Sequence, residues 1–228
     1  MGASVMYFNV DRTLTTDDYH YIQLLLPGVP VGSGRLLPYI RQLALVQRCQ
    51  AAVRARAPSF VGLPEGQLRE PKQLYLKRQG MCYDRSRVLE KMFLYLGMAT
   101  RHVALFKREP GVNALRTLLL HHVSSHAISE VLTARGWMIV DSNSPWLGLD
   151  QQHNPVSVHQ LALRNSRAHP LAWLSPLPAV DIAFYGPRDC IYVYGLYSRH
   201  GRFFPPYTSF IPDYRLRGLL YNFKWLRG

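Results

Sequence analysis

Acidic residues are scarce in this chain, and their scarcity narrows the kinds of partner that it can have. The 228 residues include 14 Asp and Glu against 27 Lys and Arg, which gives a formal net charge of +13. This balance favours acidic partners, but it says nothing about the fold. The basic residues are scattered rather than gathered in a block, so we expect no specific nucleic-acid partner.

Cysteine is also rare. Cys49, Cys82 and Cys190 form an odd number and include no CxxC pair. This pattern argues against a disulfide framework or a zinc knuckle and predicts reduced thiols. Within a helical pattern, Cys49 is expected to be a small buried hydrophobic residue.

Metal ligands at a recognisable spacing are missing as well. The histidines at positions 121, 122 and 126 are close in sequence, but no carboxylate or cysteine follows them at ligand spacing. We therefore expect no metal and no cofactor.

No long apolar run and no secretory signal occur in the sequence. The N-terminus lacks a basic start followed by an apolar stretch, and no run of eighteen apolar residues exists. The expected location is therefore cytoplasmic. The basic, aromatic tail over residues 214–227 allows peripheral contact with an anionic membrane surface as an alternative.

What is present is a globular composition, with 48% apolar and 12% aromatic residues. The apolar pattern predicts a helix over residues 36–56, with Leu36, Ile40 and Ala51 on the buried side and Gln42 and Gln50 on the polar side. A polar connector over 58–71 follows. Later elements are predicted as a helix (82–96), a strand (101–106), a hairpin (127–133 and 137–141, joined by 134–136), a helix (157–164) and a strand (191–197).

These elements suggest three segments along the chain. Residues 1–71 are predicted to form an N-terminal helical lobe, residues 72–146 a catalytic core, and residues 147–228 a C-terminal extension packed on that core. The three are expected to make one compact domain.

Cys82 stands where a nucleophilic thiol would be placed. It follows Gly80-Met81 and opens the predicted helix, so the unpaired N–H groups and the positive dipole end point toward its sulfur. This setting lowers the pKa of a thiol, and a histidine partner lowers it further. Asp84, in the first helical turn, suits the dipole but works mildly against a thiolate, so we assign it a structural role.

His126 and Asp141 follow downstream on the predicted hairpin. If Leu132 faces Trp137 across that hairpin, His126 and Asp141 lie diagonally on one face. The carboxylate can then orient the imidazole as the third member of a triad. A register slip of one residue would send the two side chains to opposite faces.

The combination of motifs resembles the transglutaminase-like superfamily core over residues 72–146. The residues that carry the resemblance are Gly80-Met81-Cys82, then Gly97 and Arg101, then His126-Ala127, then Gly136-Trp137 and Asp141. The resemblance implies an α+β, papain-like fold, in which the helix opened by the nucleophilic cysteine packs on an antiparallel sheet.

The same resemblance implies that Cys82 is the nucleophile, His126 the general base and acid, and Asp141 the orienting residue. For the oxyanion, the Cys82 backbone N–H is the natural first donor, with Gln73, Gln79 or Tyr75 as candidates for the second. Gly80 and Trp137 are further candidates for substrate binding.

The expected activity is cysteine-dependent acyl transfer at an amide bond of a peptide or protein, with a thioester intermediate and a preference for acidic substrates. Peptidase or amidase action is favoured over amine crosslinking. The alternative is a catalytically inactive scaffold of the same fold that binds an acidic partner or an anionic membrane surface through its charge.

Overall fold

The computed structural model describes residues 11–64, 67–107, 112, 124–166, 172–178, 182–185 and 190–197. Three parts of the sequence lie outside these residues: the tail over 214–227, whose apolar spacing favours a helix, the segment 5–10, which could form a short strand, and the histidines at 121 and 122. The helices are α1 (Thr16–Leu25), α2 (Tyr39–Arg56), α3 (Pro71–Lys77), α4 (Cys82–Tyr95), α5 (Val158–Ser166) and α6 (Ile182–Tyr185). The strands are β1 (Thr100–Lys107), β2 (Ser125–Thr133), β3 (Gly136–Val140) and β4 (Cys190–Tyr194).

The N-terminal helices begin at clear sequence signals. Thr15 caps α1, since its side chain accepts a hydrogen bond from the Asp18 N–H while the Asp18 carboxylate accepts one from the Thr15 N–H. Helix α2 begins only after Pro38, three residues later than the pattern suggested. Helix α3, in the part of the chain where we predicted no helix, has Pro71 as its first residue.

The buried face of α2 differs from the prediction. Leu36 and Ile40 are 90% and 68% exposed, and Ala51 is also exposed, whereas Gln42 and Gln50 are buried. The prediction was wrong because both glutamines bond to groups remote in sequence. For Gln42 these are a carbonyl before the helix, at Gly34, and the backbone N–H of Ala134. Burial of an amide is inexpensive once such bonds are made.

The four strands form one antiparallel sheet in the order β3-β2-β1-β4, and α4 packs on β2 and β1. The predicted register of the hairpin is confirmed, since Leu132 pairs with Trp137. The connection is shorter than predicted, because only Ala134 and Arg135 form the turn and Gly136 is already the first residue of β3. Gly136 has a φ of +127°, which explains the glycine.

Two apolar clusters fill the two sides of the sheet. The first joins α1, α2 and α4 to the face of the sheet that carries Val131, Met138 and Val140. The second packs α5 and the short α6 against the other face, around Ile128 and Ile139. The fold is therefore α+β, with the helix that begins at Cys82 held on an antiparallel sheet, as predicted.

A polar cluster lies about two turns along α4 from Cys82. Glu90 is fully buried and accepts hydrogen bonds of 2.6 Å from the Tyr197 hydroxyl and 2.6 Å from His102 Nδ1. The His102 and Tyr197 rings stack with centroids 4.2 Å apart. The cluster ties β1 and the end of the described chain to α4.

Within the described residues, none of the helices combines the length and the apolar character that crossing a membrane requires.

Candidate functional site

Cys82 is the first residue of α4, as the sequence predicted, and its side chain is half-buried. The preceding residue, Met81, is in extended backbone and donates its N–H to Asp84 at 2.9 Å. The N–H groups of the first turn have no acceptor within the helix. Cys82 therefore lies at the positive end of the α4 dipole.

Asp84 has the structural role that the sequence suggested. Its buried carboxylate pairs with Arg69 and accepts the backbone N–H groups of Met81 and Leu63. These contacts fix the entry into α4. Since Arg69 neutralises the charge, Asp84 opposes a thiolate at Cys82 only weakly.

His126 is the second residue of β2 and is 3% exposed. Its Nε2 lies 3.1 Å from Asp141 Oδ2, and the Cys82 side chain lies close enough to the ring to influence its pKa. Burial lowers the pKa of His126, but Asp141 and Cys82 outweigh burial and raise it well above its ordinary value. The imidazole is therefore held in the protonated form.

Asp141 follows the last residue of β3 and is fully buried. Its Oδ1 accepts the backbone N–H groups of Asn143 at 2.6 Å and Ser144 at 2.8 Å. Its Oδ2 receives His126 and the Tyr185 hydroxyl, the latter at 2.6 Å. Burial raises the pKa of Asp141, but His126 and these hydrogen bonds lower it to about 2.

Tyr185 was not predicted as part of the site. It lies at the end of α6, buried, with its ring 4.6 Å from that of Trp146. Its hydroxyl donates to the Asp141 oxygen that also receives His126. No local motif marks this tyrosine, because its contact with Asp141 joins residues 44 positions apart.

Gln50 is a second residue that the sequence did not reveal. Its Nε2 donates to the backbone carbonyls of Asp141 at 2.8 Å and Trp146 at 2.9 Å. Helix α2 thereby fixes both ends of the loop that follows β3. That loop presents the Asp141 carboxylate to His126.

Asn143 and Arg85 are further polar neighbours of the imidazole, and the ring of Phe184 lies 5.6 Å from it. Asn143 Nδ2 lies 3.5 Å from His126 Nδ1, and its Oδ1 accepts a hydrogen bond from Arg85 at 2.9 Å. Arg85 is one turn after Cys82 on α4. Burial lowers the pKa of Arg85, and negative charge on Cys82 raises it. A cation is therefore close to the thiol, on the same helix.

The substrate-binding candidates occupy different places. Gln79 donates its side-chain amide to the Gly62 carbonyl at 2.9 Å, and Gln73 has a buried Oε1 without a hydrogen-bond partner in the described structure. A Cβ on Gly80 would lie 3.2 Å from side-chain atoms of Leu74 and Asp84. These three residues belong to α3 and the turn into α4.

Trp137 lies near the start of β3, whereas Asp141 follows its end. Its ring stacks against the guanidinium of Arg101, 4.0 Å from the ring centroid. Arg101 also pairs with Glu130 on β2. The chain thus places Trp137 in a structural cluster several residues along the strand from the triad.

Among the residues that the structure describes, no group of three or more His, Cys, Asp or Glu side chains is arranged to hold a metal ion. The chemistry available at this site is that of a thiol, an imidazole and a carboxylate.

Comparison with known proteins gives a family match for the central part of the chain. Residues 43–142 match the family described as the transglutaminase-like superfamily, and the match includes Cys82, His126 and Asp141. It begins within α2, so the family core includes part of the N-terminal helices. A search of curated protein sequences found no relative.

Solved structures with similarity to the chain include two that differ widely in their described roles. One is a Rad4–Rad23 complex bound to a 6-4 photoproduct UV lesion, with 10% identity, 64% of this chain and 38% of that chain covered, and a TM-score of 0.36. The other is a TGase, with 18% identity, 62% and 35% of the two chains covered, and a TM-score of 0.35.

The chain therefore spans little more than a third of either of these proteins. Members of the matched family are typically cysteine-dependent acyl-transfer enzymes. From the family match, the order of its elements and the antiparallel sheet beneath the cysteine helix, residues 43–142 of this chain are a transglutaminase-like superfamily core.

Proposed function

We propose that this protein is a cysteine-dependent acyl-transfer enzyme that acts on amide bonds of peptides or proteins through Cys82, His126 and Asp141. The observation that carries the proposal is that the His126 imidazole hydrogen bonds with the Asp141 carboxylate and lies close enough to the Cys82 side chain for that side chain to raise its pKa. A thiol, a base and an orienting carboxylate in this order are the parts that acyl transfer requires.

The charges around the imidazole set its protonation state. The pKa of His126 is raised well above its ordinary value, which favours the imidazolium. Asp141, with its lowered pKa, stays ionised and stabilises the imidazolium. The imidazolium and the positive end of the α4 dipole stabilise negative charge on the Cys82 sulfur during attack.

In the first half-reaction, the Cys82 sulfur attacks the carbonyl carbon of the amide. The carbonyl oxygen becomes negatively charged, and the Cys82 backbone N–H is its nearest donor at the start of α4. When the C–N bond breaks, the imidazolium of His126 gives its proton to the leaving nitrogen. The products are a free amine and a thioester on Cys82.

Gln79 and Gln73 are the candidates for the second oxyanion donor. One amide N–H of Gln79 already bonds to the Gly62 carbonyl, which anchors the side chain and leaves its other N–H for an oxyanion. Gln73 Oε1 is buried and accepts no hydrogen bond within the described residues, and an oxygen cannot donate to an oxyanion, so Gln79 is the better candidate.

In the second half-reaction, neutral His126 removes a proton from the incoming nucleophile, which attacks the thioester and releases Cys82. Water gives hydrolysis, and a primary amine gives crosslinking. We favour hydrolysis, as a peptidase or amidase, since the sequence shows no feature for an amine acceptor.

A mixed peptide library, incubated with the enzyme and a fluorescent primary amine and analysed by mass spectrometry, tests the proposal. New peptide termini would identify a peptidase. Conversion of glutamine to glutamate would identify an amidase, and amine adducts would identify a crosslinking enzyme. Each product should be lost in Cys82→Ala and kept in Cys190→Ala, whose thiol lies on β4. If no product depends on Cys82, the proposal is wrong.

The net charge of +13 supports one alternative, a catalytically inactive scaffold that binds an acidic partner or an anionic membrane surface. Such binding would persist in Cys82→Ala and would weaken steeply with salt. Co-sedimentation with anionic vesicles, with and without residues 214–227, separates the membrane form of this alternative from the protein form.

A further inference from the structure

A cavity of about 360 Å³ adjoins the triad on the side of α2. We call it the arginine cavity, because two guanidinium groups form part of its wall. Its size suits a short side chain or a dipeptide unit. The residues that border it and enter the argument are Arg54, Phe60, Arg85 and Asn143.

The two arginines form a concentration of positive charge without a matching carboxylate. Arg54 and Arg85 both donate hydrogen bonds to Asn143 and both border the cavity. Burial lowers the pKa of Arg85, negative charge on Cys82, Asp84 and Asp141 raises it, and the positive charge of Arg54 lowers it. Among the described residues, neither has a carboxylate within ion-pair distance. Arg85 is only 2% exposed.

Among the residues that the structure describes, the other fully buried cations are paired with carboxylates: Arg69 with Asp84, Arg87 with Glu70, and Lys91 with Asp18. Arg85 instead donates to the neutral carbonyls of Ala57 and Ser59 and to the Asn143 side chain. Its positive charge therefore adds to that of Arg54 at the cavity and attracts an anion there.

The cavity is connected to the reacting atoms through Asn143. Its side-chain oxygen accepts from Arg85 at 2.9 Å, its Nδ2 lies 3.5 Å from His126 Nδ1, and its backbone carbonyl accepts from Arg54 Nε at 3.1 Å. None of the triad residues lines the cavity, but Asn143 both borders it and lies next to the His126 ring.

We propose that the arginine cavity binds a carboxylate of the substrate, next to the amide that Cys82 attacks. The side chain of Arg54 is half-buried at the cavity wall, and its terminal N–H groups suit a planar carboxylate. Arg85, whose Nε and both terminal nitrogens already donate within the protein, adds its positive charge. The ring of Phe60, 61% exposed and 4.6 Å from the Arg85 guanidinium, gives an apolar wall for a short aliphatic stem. The inference rests on the proposed function and names its substrate class, an acidic peptide.

The carboxylate can come from an Asp or Glu side chain or from the C-terminus of a peptide. Four small probes distinguish these sources: N-acetylglutamic acid α-amide and N-acetylglycine carry the two kinds of carboxylate, while N-acetylglutamine amide and N-acetylglycinamide are their neutral counterparts. Each is titrated at constant ionic strength into the full-length ¹⁵N-labelled protein, and the arginine Nε–Hε signals are followed by NMR.

A carboxylate probe should shift the signals of Arg54 and Arg85 in a saturable manner, and its neutral counterpart should not. Arg54→Gln should weaken this binding about tenfold, because it removes one charged donor group. Arg48→Gln is the matched control, since Arg48 lies on the same helix but donates to the Pro27 carbonyl. The source whose probe binds more tightly identifies the substrate's carboxylate.

Two results overturn the inference: equal shifts with charged and neutral probes, or carboxylate binding that Arg54→Gln and Arg48→Gln leave equally unchanged. The measurement is repeated in Cys82→Ala, which separates it from the proposed function. Binding that persists in a protein without Cys82-dependent products contradicts the enzyme proposal alone. The opposite result is that products depend on Cys82, but acidic and neutral peptides are turned over equally and no carboxylate binds. That result contradicts the role of the arginine cavity alone.

Discussion

Replacement of Tyr185 by phenylalanine tests how the Asp141 carboxylate is held. The substitution keeps the buried ring against Trp146 and removes only the hydroxyl that donates to Asp141 Oδ2 at 2.6 Å. A hydrogen bond to a charged group contributes about 1.5–3 kcal/mol. We therefore expect Tyr185→Phe to lower the free energy of unfolding at pH 7 by about this amount.

The same substitution should change the titration of Asp141. Its pKa is lowered to about 2, and the stabilisation that this brings is present above the ordinary value of 3.8 and is lost as the pH falls through 2. Without the tyrosine donor, the pKa should move back toward 3.8. The difference in stability between the two proteins should then shrink as the pH falls below 3.8.

Urea denaturation at pH 7 measures the first quantity, and ¹³C NMR titration of the Asp141 carboxyl measures the second. Tyr197→Phe is a matched control, because that tyrosine also donates a 2.6 Å bond to a buried carboxylate, Glu90. It should cost similar stability and leave the Asp141 titration unchanged. If Tyr185→Phe leaves the Asp141 titration as in the wild type, the hydroxyl does not stabilise the carboxylate and the reasoning fails.

Three further predictions follow from the buried polar contacts. Gln50→Leu should lower the free energy of unfolding by about 1–3 kcal/mol in urea denaturation, because two buried carbonyls lose their donor. Gln47→Leu, at an exposed position of α2, should change it by less than about 0.5 kcal/mol. Equal effects of the two substitutions would refute the role of Gln50. Asp141→Asn should lower the pKa of His126, so the alkaline limb of the pH–rate profile should move to lower pH. The value of kcat/KM should also fall about 10²–10⁴-fold. An unchanged alkaline limb would contradict the effect of Asp141 on the pKa of His126. Burial raises the pKa of the Cys49 thiol to about 12, so iodoacetamide at pH 8 should not label this residue until urea unfolds the protein. Labelling of Cys49 in the folded protein would disprove its burial.

The elements that the sequence predicted well are those governed by local signals. Helix α4 begins at Cys82 and is followed by Gly97, whose φ of +72° suits a glycine after a helix end. The hairpin of β2 and β3 was also predicted, and its register meets the condition on which the contact of His126 with Asp141 depends, since Leu132 pairs with Trp137. For these elements, the local sequence pattern is sufficient to predict the structure.

The sequence failed where a polar residue is buried by a distant partner. Gln50 bonds to carbonyls 91 and 96 positions away, and Gln42 to an N–H 92 positions away, so the face of α2 was assigned wrongly. Arg85 and Tyr185 were missed for the same reason. Their neighbours in the site are set by the packing of whole elements, which no local pattern contains.

The most direct test of the account is the rate of Cys82 alkylation by iodoacetamide at pH 7, followed by mass spectrometry in the intact protein. The nearby imidazolium of His126 and the start of α4 predict that Cys82 reacts much faster than Cys190, and that His126→Gln removes this difference. Cys190, which is half-buried as Cys82 is, serves as an internal comparison. A Cys82 rate that is no higher than that of Cys190, and that His126→Gln leaves unchanged, would contradict the catalytic role assigned to Cys82.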